Sequence, residues 1–357
     1  MRLKLQTCRV ACCLALLLFI ALQANAAEWK DTSLHKSKFV RVGRINLHYL
    51  DWGGRGEPLL LLNGWGDTAH CFDDLAPKFR DRFHVLGYTR RGFGQSDKPQ
   101  TGYDINTLVD ELAGFMDKLH IRKATLVGHS AAGYIMTTFA SRFPERVDKL
   151  VYLDALWNYA LAPVTSYKTR EDTPIDPDTI PPKEAVKSID AYRKHYQKYM
   201  GFFANGTTLW SDALEAEMRD LAPIAPDGRI EKTVSTQTET WLLQNFIVSC
   251  IACPIDYKRV KAPALGFFPR MNMELALPRD ADENARKEAR AGQTEYDKIR
   301  MTCLNLFAKE CRYGKVIEMP NTSHYCFIQN LSQIVEEMRA FLIPPPKESG
   351  DSIEEDL

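Results

Sequence analysis

Short apolar runs recur along the first half of the chain. Leu59–Leu62 is apolar at every position, the mark of a strand covered on both faces. Phe83–Tyr88, Ala124–Val127, Leu150–Leu153 and Ala264–Phe268 have the same character, and Lys315–Glu318 is a weaker last strand. Between them lie helical patterns: a stretch around Phe72–Phe79, an amphipathic segment over Ile105–Leu119, and a segment from Ala131 to about Phe143. Phe39–Val42 and Ile45–Asp51 predict two leading strands with a turn at Gly43-Arg44. Strands alternating with helices imply a mostly parallel sheet with helices on both faces. Reactive groups then belong at the carboxyl ends of the strands.

After Asp154 the rhythm breaks. Prolines at 174, 177, 181 and 182 and helical patterns near 184–199, 212–220 and 233–247 predict an inserted helical segment without strands. A charged helical stretch covers about 279–307, and a closing helix lies near 332–341. The tail from Pro344 is proline-rich, then acidic, and is expected to be disordered. The expected organisation is a first core part over 27–154, a helical lid over 155–260, a second core part over 261–343 and a tail over 344–357.

The N-terminus changes the picture of where this chain works. Arg2, Lys4 and Arg9 precede the apolar run Val10–Leu22, and Ala24-Asn25-Ala26 follows. Basic start, apolar middle and small-residue end describe a secretory signal peptide over 1–26, so a secreted or periplasmic protein is expected. The run is too short to span a bilayer comfortably, and no stable membrane insertion is expected. The formal net charge of the 357 residues is zero, and loss of the three basic residues leaves about −3. No basic stripe remains, which argues against nucleic acid as a partner. Export also favours disulfides among Cys71, Cys250, Cys253, Cys303, Cys311 and Cys326, with connectivity left open. Cys250-x-x-Cys253 lacks the second pair a zinc site would need. Asn205, Asn321 and Asn330 open glycosylation sequons, relevant only in a eukaryotic host.

The candidate chemistry lies where strand becomes helix. Ala124–Val127 runs into Gly128-His129-Ser130-Ala131-Ala132-Gly133, a sharp turn with serine at its apex and small residues at 128 and 132, where a larger side chain would collide with the adjoining strand or helix. Three further segments follow the same logic: Asn63-Gly64-Trp65 after an apolar strand, Arg91-Gly92-Phe93-Gly94-Gln95-Ser96 after the next, and His324 beyond the last. In this order they resemble the α/β-hydrolase superfamily, in particular its lid-bearing branch of esterases, epoxide hydrolases, haloalkane dehalogenases and cofactor-free haloperoxidases. The resemblance covers roughly 38–154 and 260–342 and implies an α/β-hydrolase fold: a mostly parallel central sheet, helices on both faces and an inserted helical lid.

The resemblance implies Ser130 as nucleophile and His324 as base, since a serine hydroxyl needs a neighbouring base at pH 7. Serine at this position argues against the epoxide hydrolase and dehalogenase chemistry of the branch, which uses aspartate there. His195 reads as a solvated residue and His129 as packing in the elbow. Relatives carry the acid just after the seventh strand, where this chain has Asn272. Asp154, at the end of the sixth strand, is the favoured substitute, and Glu274 the other. Backbone N–H groups of Trp65 and Ala131 are expected to form the oxyanion hole. Arg91 and Asp97 read as structural, and Trp157, Tyr159, Phe202, Phe203, Trp210 and Trp241 as pocket or lid core. No cofactor or metal is implied. The expectation is an exported serine hydrolase acting on an ester of a small, partly apolar molecule. The alternatives are other reactions of the fold (epoxide, lactone, amide or carbon–carbon bond hydrolysis, haloperoxidase-like perhydrolysis) or a binding protein that has lost turnover.

Overall fold

The structure, a computed structural model, describes residues 29–161, 184–203, 209–231, 236–275, 277 and 280–343. The expected signal peptide, the proline cluster at 174–182 and the tail from Pro344 lie outside them. The chain divides into two compact units, Met1–Thr32 and Ser33–Leu357. The described residues of the first, 29–32, hold no helix or strand.

The second unit is built on eight strands: β1 (Lys36–Val42), β2 (Ile45–Gly53), β3 (Glu57–Leu62), β4 (Phe83–Tyr88), β5 (Ala124–His129), β6 (Val147–Leu153), β7 (Ala264–Arg270) and β8 (Gly314–Pro320). They form one sheet in the order β1-β2-β4-β3-β5-β6-β7-β8. The β1–β2 and β2–β4 pairings are antiparallel and the others parallel. The apolar run Leu59–Leu62 follows from this topology. Leu60 and Leu62 pack into the core on one face of the sheet, and Leu59 and Leu61 into the core on the other. A residue polar at either phase would be buried without partners.

Helices α1 (Ile105–Lys118) and α2 (Ala132–Arg142) build the first face. Asp104 caps α1 by accepting from the Thr107 N–H at 3.0 Å. Among the described residues, three α-helices occupy the segment between β6 and β7: α3 (Ile189–Phe203), α4 (Asp212–Leu221) and α5 (Thr236–Ala252). The only strand-like feature described there is an isolated bridge between Ile224 and Ile230. Then come α6 (Glu283–Glu310), α7 (Cys326–Gln329) and α8 (Leu331–Leu342), the last two on the second face.

Two expectations need correction. The stretch around Phe72–Phe79 is two single 3₁₀ turns, Ala69–Phe72 and Ala76–Phe79, the second with Pro77 in its first turn. The six described cysteines are free thiols. Five of them are buried, where a thiol behaves as a small apolar side chain. Burial pushes the thiol of Cys311 up to about 11. Among the described residues, no helix is long and apolar enough to cross a membrane.

Candidate active site

β5 and β6 run side by side with His129 level with Leu153, so Ser130 and Asp154 leave the sheet as neighbours. The Ser130 N–H donates to the Leu153 carbonyl at 3.3 Å, and the Asp154 N–H to that of Phe267 at 3.0 Å. Both residues have a left-handed backbone, with φ of 53° at Ser130 and 47° at Asp154. Such conformations cost about 1–3 kcal/mol each and persist where surrounding structure enforces them. Part of the enforcement is visible at Gly133, the last residue of the elbow. A Cβ there would lie 1.8 Å from the Ala155 carbonyl oxygen, so α2 can approach the residue after Asp154 this closely only with glycine.

The loop after β8 brings in His324. Its Nδ1 lies 2.6 Å from Asp154 Oδ2, across 170 residues of sequence. Burial works against a charge on His324, but the hydrogen bond to Asp154 and its charge outweigh it, and the ring is held above its ordinary value of 6.5. Glu274, the other carboxylate considered, is turned to the surface and pairs with Arg290 at 3.1 Å and Arg286 at 3.8 Å. Asn272 accepts from the Glu274 N–H at 3.0 Å and organises that turn.

The loop after β3 forms the opposite wall. Asn63 is fully buried and donates to the carbonyls of Gly64, at 3.1 Å, and Asp67, bracing the turn around Trp65. Ala131 is the N-cap of α2, at a helix end whose first N–H groups have no acceptor within the helix. Trp65 stacks on Phe246 of α5 with ring centroids 5.3 Å apart and meets Phe93 edge-on at the same distance. Arg90 donates to the Gly64 carbonyl, and its guanidinium lies 5.5 Å from the Trp65 ring. Arg91 and Asp97 are structural as expected: Arg91 binds Glu111 at 2.6 Å, and Asp97 accepts from the Asn46 N–H at 2.8 Å.

The aromatic residues proposed for a pocket divide. Tyr159 meets Phe246 edge-on at 5.9 Å and so joins the Trp65 stack, while Trp157 stacks on Tyr296 at 5.8 Å. Trp210 packs edge-on against Tyr196, and Trp241 is 48% exposed. The side chains of Phe202 and Phe203 lie outside the described residues.

Two buried carboxyl groups also lie close to this site, Asp67 and Glu217. Asp67 follows Trp65 by two residues and contacts His129 and Tyr325. Burial pushes its carboxyl up, but the hydrogen bonds from His129 and Tyr325 and the charges of His129 and His324 prevail and lower it. Glu217 of α4 is fully buried, and its Oε1 accepts from the Thr68 N–H at 3.4 Å. Burial and the nearby Asp67 hold its carboxyl well above the ordinary 4.5. The signal for Glu217 was present: Leu214, Met218 and Leu221 place it on the apolar face of the helix.

The profile of the alpha/beta hydrolase fold family matches residues 57–205. The chain is similar to 2-(acetamidomethylene)succinate hydrolase of Mesorhizobium japonicum, 36% identical over 118 residues, 33% of this chain and 42% of the relative. It is similar to a non-heme chloroperoxidase of Streptomyces lividans, 35% identical over 114 residues, 31% of this chain and 41% of the relative. The chain thus spans less than half the length of the curated relatives it matches. Among solved structures, E-2-(acetamidomethylene)succinate hydrolase superposes with a TM-score of 0.60 at 20% identity, covering 86% of this chain and 99% of the other.

Proposed function

We propose that this chain, which belongs to the α/β-hydrolase superfamily, is an exported serine hydrolase that cleaves a carboxylic ester through an acyl-enzyme on Ser130. The observation that carries the reading is the 2.6 Å contact of His324 Nδ1 with Asp154, at strand ends adjoining the Ser130 elbow. In this reading Ser130 Oγ attacks the acyl carbon while His324 takes its proton. Asp154 steadies the imidazolium that forms. The N–H groups of Trp65 and Ala131 receive the charge that develops on the acyl oxygen, which is worth about 3 kcal/mol per donor. His324 returns the proton to the departing alcohol, then activates water to release the acid and restore Ser130. No step calls for a cofactor or metal.

The helical segment between β6 and β7 serves as a lid in this proposal. Phe246 and Tyr159, packed against Trp65, supply an apolar wall for a small, partly apolar acyl or alcohol group. Amide or lactone hydrolysis and perhydrolysis use the same acyl-enzyme. Epoxide opening is disfavoured, because it needs a carboxylate where Ser130 stands. The test is turnover on a panel of p-nitrophenyl esters of increasing acyl length. Hydrolysis that disappears in Ser130→Ala supports the reading, and equal rates in the two proteins refute it.

A further inference from the structure

Behind the base lies a buried array that this chemistry leaves unused. His129 Nδ1 is 3.0 Å from Asp67 Oδ2, and its Nε2 is 3.2 Å from the backbone carbonyl oxygen of His324. Tyr325 donates its hydroxyl to Asp67 Oδ1 at 2.8 Å. His129, Asp67 and Tyr325 are 1%, 2% and 4% exposed. The His129 ring lies against those of His324, Tyr325 and Phe327, at centroid distances of 4.5, 4.9 and 5.0 Å. One imidazole therefore touches the elbow, the loop after β3 and the loop after β8. The space it occupies is reserved: a Cβ at Gly64 would lie 2.8 Å from His129 Nδ1.

From this arrangement we infer that His129 is a positioning residue for His324, clamping the base-bearing loop to the oxyanion loop through its Nε2 bond on one side and Asp67 on the other. The inference rests on the reading of Ser130 and His324 as nucleophile and base. The His324 carbonyl has only lone pairs and the Asp67 carboxyl is held ionised, so the two bonds together need a proton on each His129 nitrogen, an imidazolium that burial and the nearby His324 disfavour and the Asp67 carboxylate supports. The bond fixes the backbone of His324, while Asp154 fixes its ring. The two together determine where Nε2 of His324 points, and a misplacement of about 1 Å at a reacting group costs about 10²-fold in rate.

Two isosteres divide the clamp. A glutamine side chain can place an N–H near the position of Nε2, and an asparagine near that of Nδ1. His129→Asn should lower kcat by about 10²-fold with KM little changed, while His129→Gln should recover at least tenfold of that loss. In parallel, the titration midpoint of the His324 ring, followed by NMR without substrate, should move in His129→Asn and return toward wild type in His129→Gln. Tyr325→Phe, which removes the hydroxyl bond to Asp67, should give a smaller change of the same kind. Equal behaviour of Asn and Gln, or an unmoved His324 midpoint in His129→Asn, would overturn the inference. A wild type that turns over no ester, with the midpoint still moving in Asn and returning in Gln, would retire the hydrolase reading and support the clamp.

Discussion

Glu217 offers the sharpest quantitative consequence of the fold. Its side chain is fully buried beneath α4, its Oε2 has no hydrogen-bond partner, and it faces Asp67, Asp73, Asp220 and Cys71. Ionisation there would set a second charge beside Asp67 without a counter-ion, so the native protein keeps the carboxyl protonated. The unfolded chain loses that proton near the ordinary value of 4.5. The folded value is raised, so this stabilisation is complete below the unfolded value and is lost as pH rises toward the folded one. Within that window the native state holds one proton more than the unfolded state, and stability falls by about 1.4 kcal/mol per pH unit. Glu217→Gln keeps the shape and the acceptor for Thr68 and removes the titration. Urea denaturation at half-unit steps from pH 5 to 8 should show the variant gaining on wild type by about 1.4 kcal/mol per unit until the folded value is passed. A difference constant across that range would refute the reasoning. Glu217 would then be ionised in the native state, with its charge balanced by a cation held among Asp67, Cys71 and Glu217.

Asp154→Asn should lower kcat by about 10⁴-fold with the fold intact, as removal of a triad acid does, while Glu274→Gln should stay within about twofold because its partners are surface arginines. Steady-state kinetics of both variants on one ester decide between the two carboxylates. The acid limb of kcat/KM should titrate above the ordinary histidine value of 6.5, because Asp154 raises His324 and the base works only when unprotonated. In Asp154→Asn the limb of the residual activity should move to lower pH, and a limb below 6.5 in the wild type would contradict the assignment.

Much of the core was legible because a parallel sheet buried on both faces demands apolar runs, and Leu59–Leu62, Leu150–Leu153 and Ala264–Phe268 supply them. The elbow was legible because a strained turn restricts its neighbours to small residues. The pairing of Asp154 with His324 was a choice between two carboxylates until the sheet order was known. It depends on β6 lying between β5 and β7, which no local pattern encodes. Charge misled twice. Asp67 and Glu217 look like solvated residues in sequence, yet the fold buries both. The cysteines misled because the expected export favours pairing, whereas the six described thiols are free. The stretch around 72–79 reads as helical because Phe72 and Phe79 fall seven residues apart, on one helical face, but Pro77 belongs to the first turn of a separate 3₁₀ segment.

The central claim is that Ser130 is a nucleophile activated by His324 and Asp154. Intact mass spectrometry after brief exposure to a fluorophosphonate tests it without knowledge of the substrate. A single adduct, mapped to Ser130, abolished in Ser130→Ala and strongly slowed in Asp154→Asn, is the expected result. An unlabelled wild type, or an adduct that persists in Ser130→Ala, would contradict the claim.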